Sequence, residues 1–102
     1  MPLVGSVNYI SSCDDDPDSS GTWIVSEDIE VSLESDETCI DILSDDVAIV
    51  CGNLIEGNGL GTAIDVNGYN NAIIKNCFIS NFETGIALSG ATDTRLINNV
   101  IY

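Results

Sequence analysis

Apolar and polar positions alternate over short stretches of this chain, and no stripe at helical spacing runs through it. Ile64 and Val66, then Ile73-Ile74, then Phe78-Ile79 are each strand-length, and Asn-Gly, Asn-Asn and Ser-Asn pairs lie between or just after them. Such pairs tolerate left-handed backbone and make tight bends. The set recurs. Thr62-Ala63-Ile64-Asp65-Val66-Asn67-Gly68 aligns with Thr84-Gly85-Ile86-Ala87-Leu88-Ser89-Gly90 at an offset of 22, and Ile74 then falls on Leu96, Asn76 on Asn98, Phe78 on Val100 and Ile79 on Ile101. Further back, Thr38-Cys39-Ile40-Asp41-Ile42 precedes Thr62 by 24, which sets Val50 on Ile74, Leu54 on Phe78 and Ile55 on Ile79.

Three bends and three short strands in 22–24 residues describe one coil of a parallel β-solenoid, in which each strand pairs with the coils above and below. The sequence therefore predicts an all-β parallel β-solenoid of about four coils. Its repeats occupy residues 21–102, with units at about 38–61, 62–83 and 84–102. Thr22-Trp23-Ile24-Val25-Ser26 and Ile29-Glu30-Val31-Ser32-Leu33 alternate as an opening coil would, whereas residues 1–20 fit no unit and read as an irregular, acidic N-terminal arm or cap. Asn53, Cys77 and Asn99 share one column, the place for an asparagine ladder along the stack, with Cys77 filling an inward position as a small apolar residue.

The run Asn70-Asn71-Ala72-Ile73-Ile74-Lys75-Asn76-Cys77-Phe78-Ile79-Ser80-Asn81, followed by Thr84-Gly85-Ile86-Ala87-Leu88, resembles the right-handed parallel β-helix repeats of pectate-lyase-like folds and of the NosD-type repeat proteins of bacteria and archaea. The resemblance covers residues 38–102 well and 21–37 loosely. It implies an all-β right-handed parallel β-solenoid (β-helix) and says little about chemistry, because that family hosts lyases, hydrolases, adhesins and structural proteins.

Charge narrows the field. Seventeen acids face two bases, for a net charge of −15, and residues 1–61 hold fourteen of the acids and no base. This argues against nucleic acid as a partner, and no apolar run is long enough for membrane insertion. The absence of histidine removes every His-based triad or zinc site. Asp14-Asp15-Asp16-Pro17-Asp18 lacks the glycine and terminal glutamate of an EF-hand loop. Asp41 and Asp65 share a column and should point outward about 5 Å apart, a spacing suited to a cation such as Ca2+ and, less readily, to retaining glycoside chemistry. Lys75 stacks on Ile97 and Arg95 on Ile73, so the two bases share no column, and Cys51 aligns with Lys75 without any group to orient it as a nucleophile. No catalytic residue or cofactor is assigned, and the expectation is that the protein is not an enzyme.

Cys13, Cys39, Cys51 and Cys77 include no closely spaced pair, which argues for disulfides in an oxidising compartment rather than zinc. Two spacings of 26, Cys13 to Cys39 and Cys51 to Cys77, fit staples between neighbouring coils. An outward Cys39 would instead link neighbouring molecules. The last unit runs into Val100-Ile101-Tyr102 with no polar cap after it, and solenoid ends need covering. These features together predict an extracellular, self-associating structural subunit of a prokaryotic, archaeal more than bacterial, sheath, surface layer or filament. Its partner would be itself, stacked end to end. The alternative is a carbohydrate-binding or carbohydrate-active fragment of a pectate-lyase-like protein, although Trp23, Tyr69, Phe78 and Phe82 are scattered along the repeat.

Overall fold

The alternating runs form twelve short strands in a computed structural model that describes residues 7–101. In chain order they are β1 (Val7–Ile10), β2 (Gly21–Val25), β3 (Ile29–Glu30), β4 (Thr38–Asp41), β5 (Val47–Val50), β6 (Leu54–Glu56), β7 (Thr62–Asp65), β8 (Ile73–Lys75), β9 (Phe78–Ser80), β10 (Thr84–Ala87), β11 (Arg95–Ile97) and β12 (Val100–Ile101). All named pairings are parallel, and they build three sheets. Sheet A has the order β1-β2-β5-β8-β11, sheet B β12-β9-β6-β3 and sheet C β10-β7-β4. Each turn of chain visits A, B and C once, which is a parallel β-solenoid. Three turns are complete from β2 to β10, and β11 with β12 begins a fourth.

Period-two alternation sends one set of side chains inward, and the parallel register stacks like on like. Ile29, Ile55, Ile79 and Ile101 form one internal column, Ile40, Ile64 and Ile86 a second, and Trp23, Ile49, Ile74 and Leu96 a third. Within the stack these residues are buried, and no polar or charged residue is buried with them among the described residues. Each fully buried isoleucine contributes about 1.5–3 kcal/mol. Left-handed backbone is also columnar. Asp46, Asn71 and Asp93, at φ of 59°, 60° and 56°, turn the chain into sheet A on three successive coils. Asparagine and aspartate are the residue types that bear this geometry at least cost after glycine.

Two expectations need correction. Val50 pairs with Lys75, not Ile74, because Ile49 takes the column of Ile74. The corner from Val50 to Leu54 is one residue longer than that from Lys75 to Phe78, while the turn from Asp41 to Ala48 is one shorter than that from Asp65 to Ile73. The two changes cancel around the coil, so Leu54 still meets Phe78 and only β5 slips. A slip of one residue exchanges the faces, and it is Ile49 that is buried. The stretch expected to be an irregular arm is regular at Val7–Ile10, where β1 adds to the edge of β2. Residues 11–20 then run beneath β4 in place of a sheet C strand. Asp16 Oδ1 accepts from Asp41 N at 3.0 Å, Leu43 N donates to Pro17 O at 2.8 Å, and Pro17 is fully buried.

Candidate functional site

Sheet C brings together the acids singled out from the sequence. Asp41 on β4 is in register with Asp65 on β7, and both are half-buried. Asp16 from the arm adds a third carboxylate to the row through its bond to the Asp41 amide. Asp65 Oδ1 accepts from Asn67 N at 3.0 Å. Burial pushes the Asp41 carboxyl above its ordinary range, and the neighbouring Asp16 and Asp65 charges push it the same way. The row lies along the stack rather than around a centre. Among the described residues, no group of three or more His, Cys, Asp or Glu is placed to hold a metal ion. Lys75 and Arg95 stand on sheet A, paired with Ile97 and Ile73, so neither cation lies in register with the acid row.

The Asn53, Cys77 and Asn99 column lies at the corner leading into sheet B, and its amides clip coil to coil through backbone groups. Asn53 Nδ2 donates to Val25 O at 2.8 Å, and Asn99 Nδ2 donates to Ile74 O at 2.9 Å. Asn99 Oδ1 accepts from Cys77 N at 3.0 Å. Cys77 is buried and breaks any side-chain-to-side-chain ladder at this corner. Sequence reasoning missed further clips of the same kind. Asn58 holds both backbone groups of Leu33, at 2.9 and 3.0 Å, and Asn81 Nδ2 reaches Gly57 O at 3.0 Å. Asp45 Oδ1 accepts from Asn70 N at 2.8 Å, and Thr92 Oγ1 donates to Asn70 Oδ1. Their signal is an Asx or Thr at a bend with a mate one coil away.

The cysteines form two intrachain disulfides, Cys13–Cys39 and Cys51–Cys77, with Cα–Cα distances of 4.5 and 4.7 Å and no free cysteine remaining. Cys39 is buried, not outward, and its bond to Cys13 uses the thiol that a link between molecules would need. Cys51 is likewise committed to Cys77, so it has no thiolate for Lys75 to activate. Cys51–Cys77 ties the lengthened corner after β5 to the corner above it. Disulfides of this kind belong to an oxidising environment. Among the described residues, no helix is long and apolar enough to cross a membrane.

The family model for the right handed beta helix region matches residues 8–102. The chain belongs to the right-handed β-helix family. No curated protein and no solved structure matches it. In this β-helix the match begins within β1, consistent with a stack that starts before the opening coil read from the sequence. Among the described residues, the aromatic side chains of the β-helix do not gather into a groove. Trp23 is buried with Nε1 donating to Ser19 O at 3.0 Å, Tyr9 faces out from sheet A and Phe78 from sheet B, and Tyr69 and Phe82 pack against the core from turns.

Proposed function

We propose that this β-helix is a non-catalytic structural module of a prokaryotic extracellular or cell-surface assembly, and that it builds by laying the outer coil of one copy against the first coil of another. The observation that carries the reading is the rung formed by β10, β11 and β12. Leu96 and Ile101 continue the internal columns of Ile74 and Ile79, yet they are 46% and 48% exposed where their column mates are 0% exposed. The free edges of the same strands present unpaired backbone groups. A further β-coil satisfies both needs at once, whether more of the same chain or a second copy supplies it, and the proposed reading takes the second copy.

Charge favours head-to-tail order. The first coils carry nearly all of the acids, including Asp14, Asp15, Asp16 and Asp18 of the arm, whereas residues 62–102 hold three acids, Lys75 and Arg95. Head-to-tail contact sets the Arg95 rung against the acidic arm and generates an open filament rather than a closed dimer. The acid excess opposes assembly until salt screens it. The two intrachain disulfides support an oxidising location outside the cell, and a solenoid stapled between coils supports a structural role.

Sedimentation velocity over a hundredfold range of protein concentration, at low and at 0.5 M salt, tests this reading. The expected result is growth beyond dimer at high salt, abolished by Leu96→Lys, which places a charge in the exposed column. A single monomer boundary under every condition overturns it.

A further inference from the structure

The outward face of sheet A differs from the rest of the surface. Its registered positions form two columns of five, Val7, Thr22, Ala48, Ile73, Arg95 and Tyr9, Ile24, Val50, Lys75, Ile97. Seven of the ten are apolar, one is Thr22, none is acidic, and the remaining two, Lys75 and Arg95, are the only two cations in a chain with seventeen acids. The outward strand positions of the other sheets carry Glu30 and Glu56 on B and Asp41 and Asp65 on C. Tyr9 is 62% exposed, and Ile97 and Val7 are exposed with it. Solvent alone gives no reason for an acid-rich chain to keep one sheet face free of acid.

We propose that this face is a lateral interface between two copies of the chain, packed face to face with their stacks antiparallel about a two-fold axis that lies in the interface plane along the strands. Charge complementarity selects this occupant and this orientation. Parallel pairing would set Lys75 and Arg95 against their own copies and the acid-rich coils against each other. Antiparallel pairing sets the β8–β11 end of one copy against the β1–β2 end of the other. Arg95 then sits across from Val7, beside the exposed Tyr9 ring, a favourable cation–π partner, and Lys75 sits across from Ile24, toward the Glu27 and Asp28 turn of the partner. At the centre Ala48 and Val50 of β5 pack on their own symmetry mates, with Ile24 and Ile73 on either side of them.

Five strands about 4.8 Å apart span about 19 Å, so the face is smaller than the roughly 800 Å² per partner of a standard interface. The pairing therefore belongs to the weak, concentration-dependent class, and it strengthens as salt screens the net repulsion of two −15 chains. It is independent of axial stacking, because it uses a sheet face rather than the edge of a rung. Both contacts together would give laterally paired filaments.

Sedimentation equilibrium in the Leu96→Lys background, with the axial edge blocked, separates the two contacts. The expected result is a monomer–dimer equilibrium at 0.5 M salt whose Kd rises at least tenfold on Arg95→Glu and on Val50→Glu. Thr62→Glu on sheet C is expected to leave the Kd within about twofold. Arg95 is exposed, so its variant keeps the fold even where Val50→Glu perturbs it, and circular dichroism checks each. A Leu96→Lys protein that stays monomeric up to millimolar concentration overturns the proposal while leaving axial stacking intact. A dimer that Arg95→Glu does not weaken overturns it as well.

Discussion

Removing the disulfide Cys51–Cys77 by a paired change to alanine tests how this small stack is held. The cross-link joins residues 26 apart, and chain-entropy closure of a loop that size is worth about 3.5 kcal/mol. The same figure applies to Cys13–Cys39, which has the same separation. The two loops do not overlap, so the losses add, and removing both takes about 7 kcal/mol from a total stability of about 5–15 kcal/mol for a domain of this size. Loss of Cys51–Cys77 alone should lower the melting temperature by about 15–25 °C. Cys51 and Cys77 are buried, so the missing sulfur atoms add a small packing loss to the entropic one. Urea unfolding followed by circular dichroism reads both midpoint and slope. The slope should rise, because an unfolded chain without the cross-link exposes more surface. A loss below about 1 kcal/mol for either pair would refute the reasoning, since it would mean that the unfolded chain gains little freedom when the staple is removed.

Three further outcomes follow from the geometry. Asp41→Asn should raise the melting temperature at pH 7. Burial and the Asp16 and Asp65 charges raise the folded-state pKa of Asp41, so its ionisation costs stability at neutral pH; the gain should shrink as pH falls through the carboxylate range and vanish below the unfolded value of 3.8. A melting temperature at pH 7 equal to or below wild type contradicts this. Asn99→Ala removes the clips to Ile74 and Cys77 and should cost about 1–3 kcal/mol in urea unfolding. Gly61→Ala should cost at least as much in the same assay, because φ is +76° there and an added Cβ would stand 2.7 Å from both Glu37 O and Leu33 Cδ1.

Much of the fold was legible because a solenoid writes its register into the sequence. The Thr38, Thr62 and Thr84 column, the Ile40 and Ile64 column, the Asp41–Asp65 pair, and the placement of Lys75 on Ile97 and Arg95 on Ile73 all follow from offsets of 24 and 22. The slip of β5 was hidden by the same logic. A residue gained after Val50 and one lost before Val47 leave the flanking alignment unchanged, and Val50 and Ile49 are equally apolar candidates for the inward place. Strand β1 was missed because its step to β2 is short, with Val7 paired to Thr22, and resembles no full coil. The acid-free face of sheet A was invisible in composition, since its ten positions are spread from Val7 to Ile97 and meet only when five strands are set in register. The intrachain pairing of the cysteines matches one of the alternatives that their equal spacing left open. The choice was made by burial of Cys39 and Cys77 inside the stack, which a list of residues does not show.

Cryo-electron microscopy of the concentrated chain at 0.5 M salt, beside the Leu96→Lys variant, tests the structural reading most directly. The account predicts filaments of the wild-type chain with a continuous rung spacing of about 4.8 Å across every junction between copies, and none for the variant. Dispersed single particles of the wild-type chain, or filaments that Leu96→Lys leaves unchanged, would contradict it.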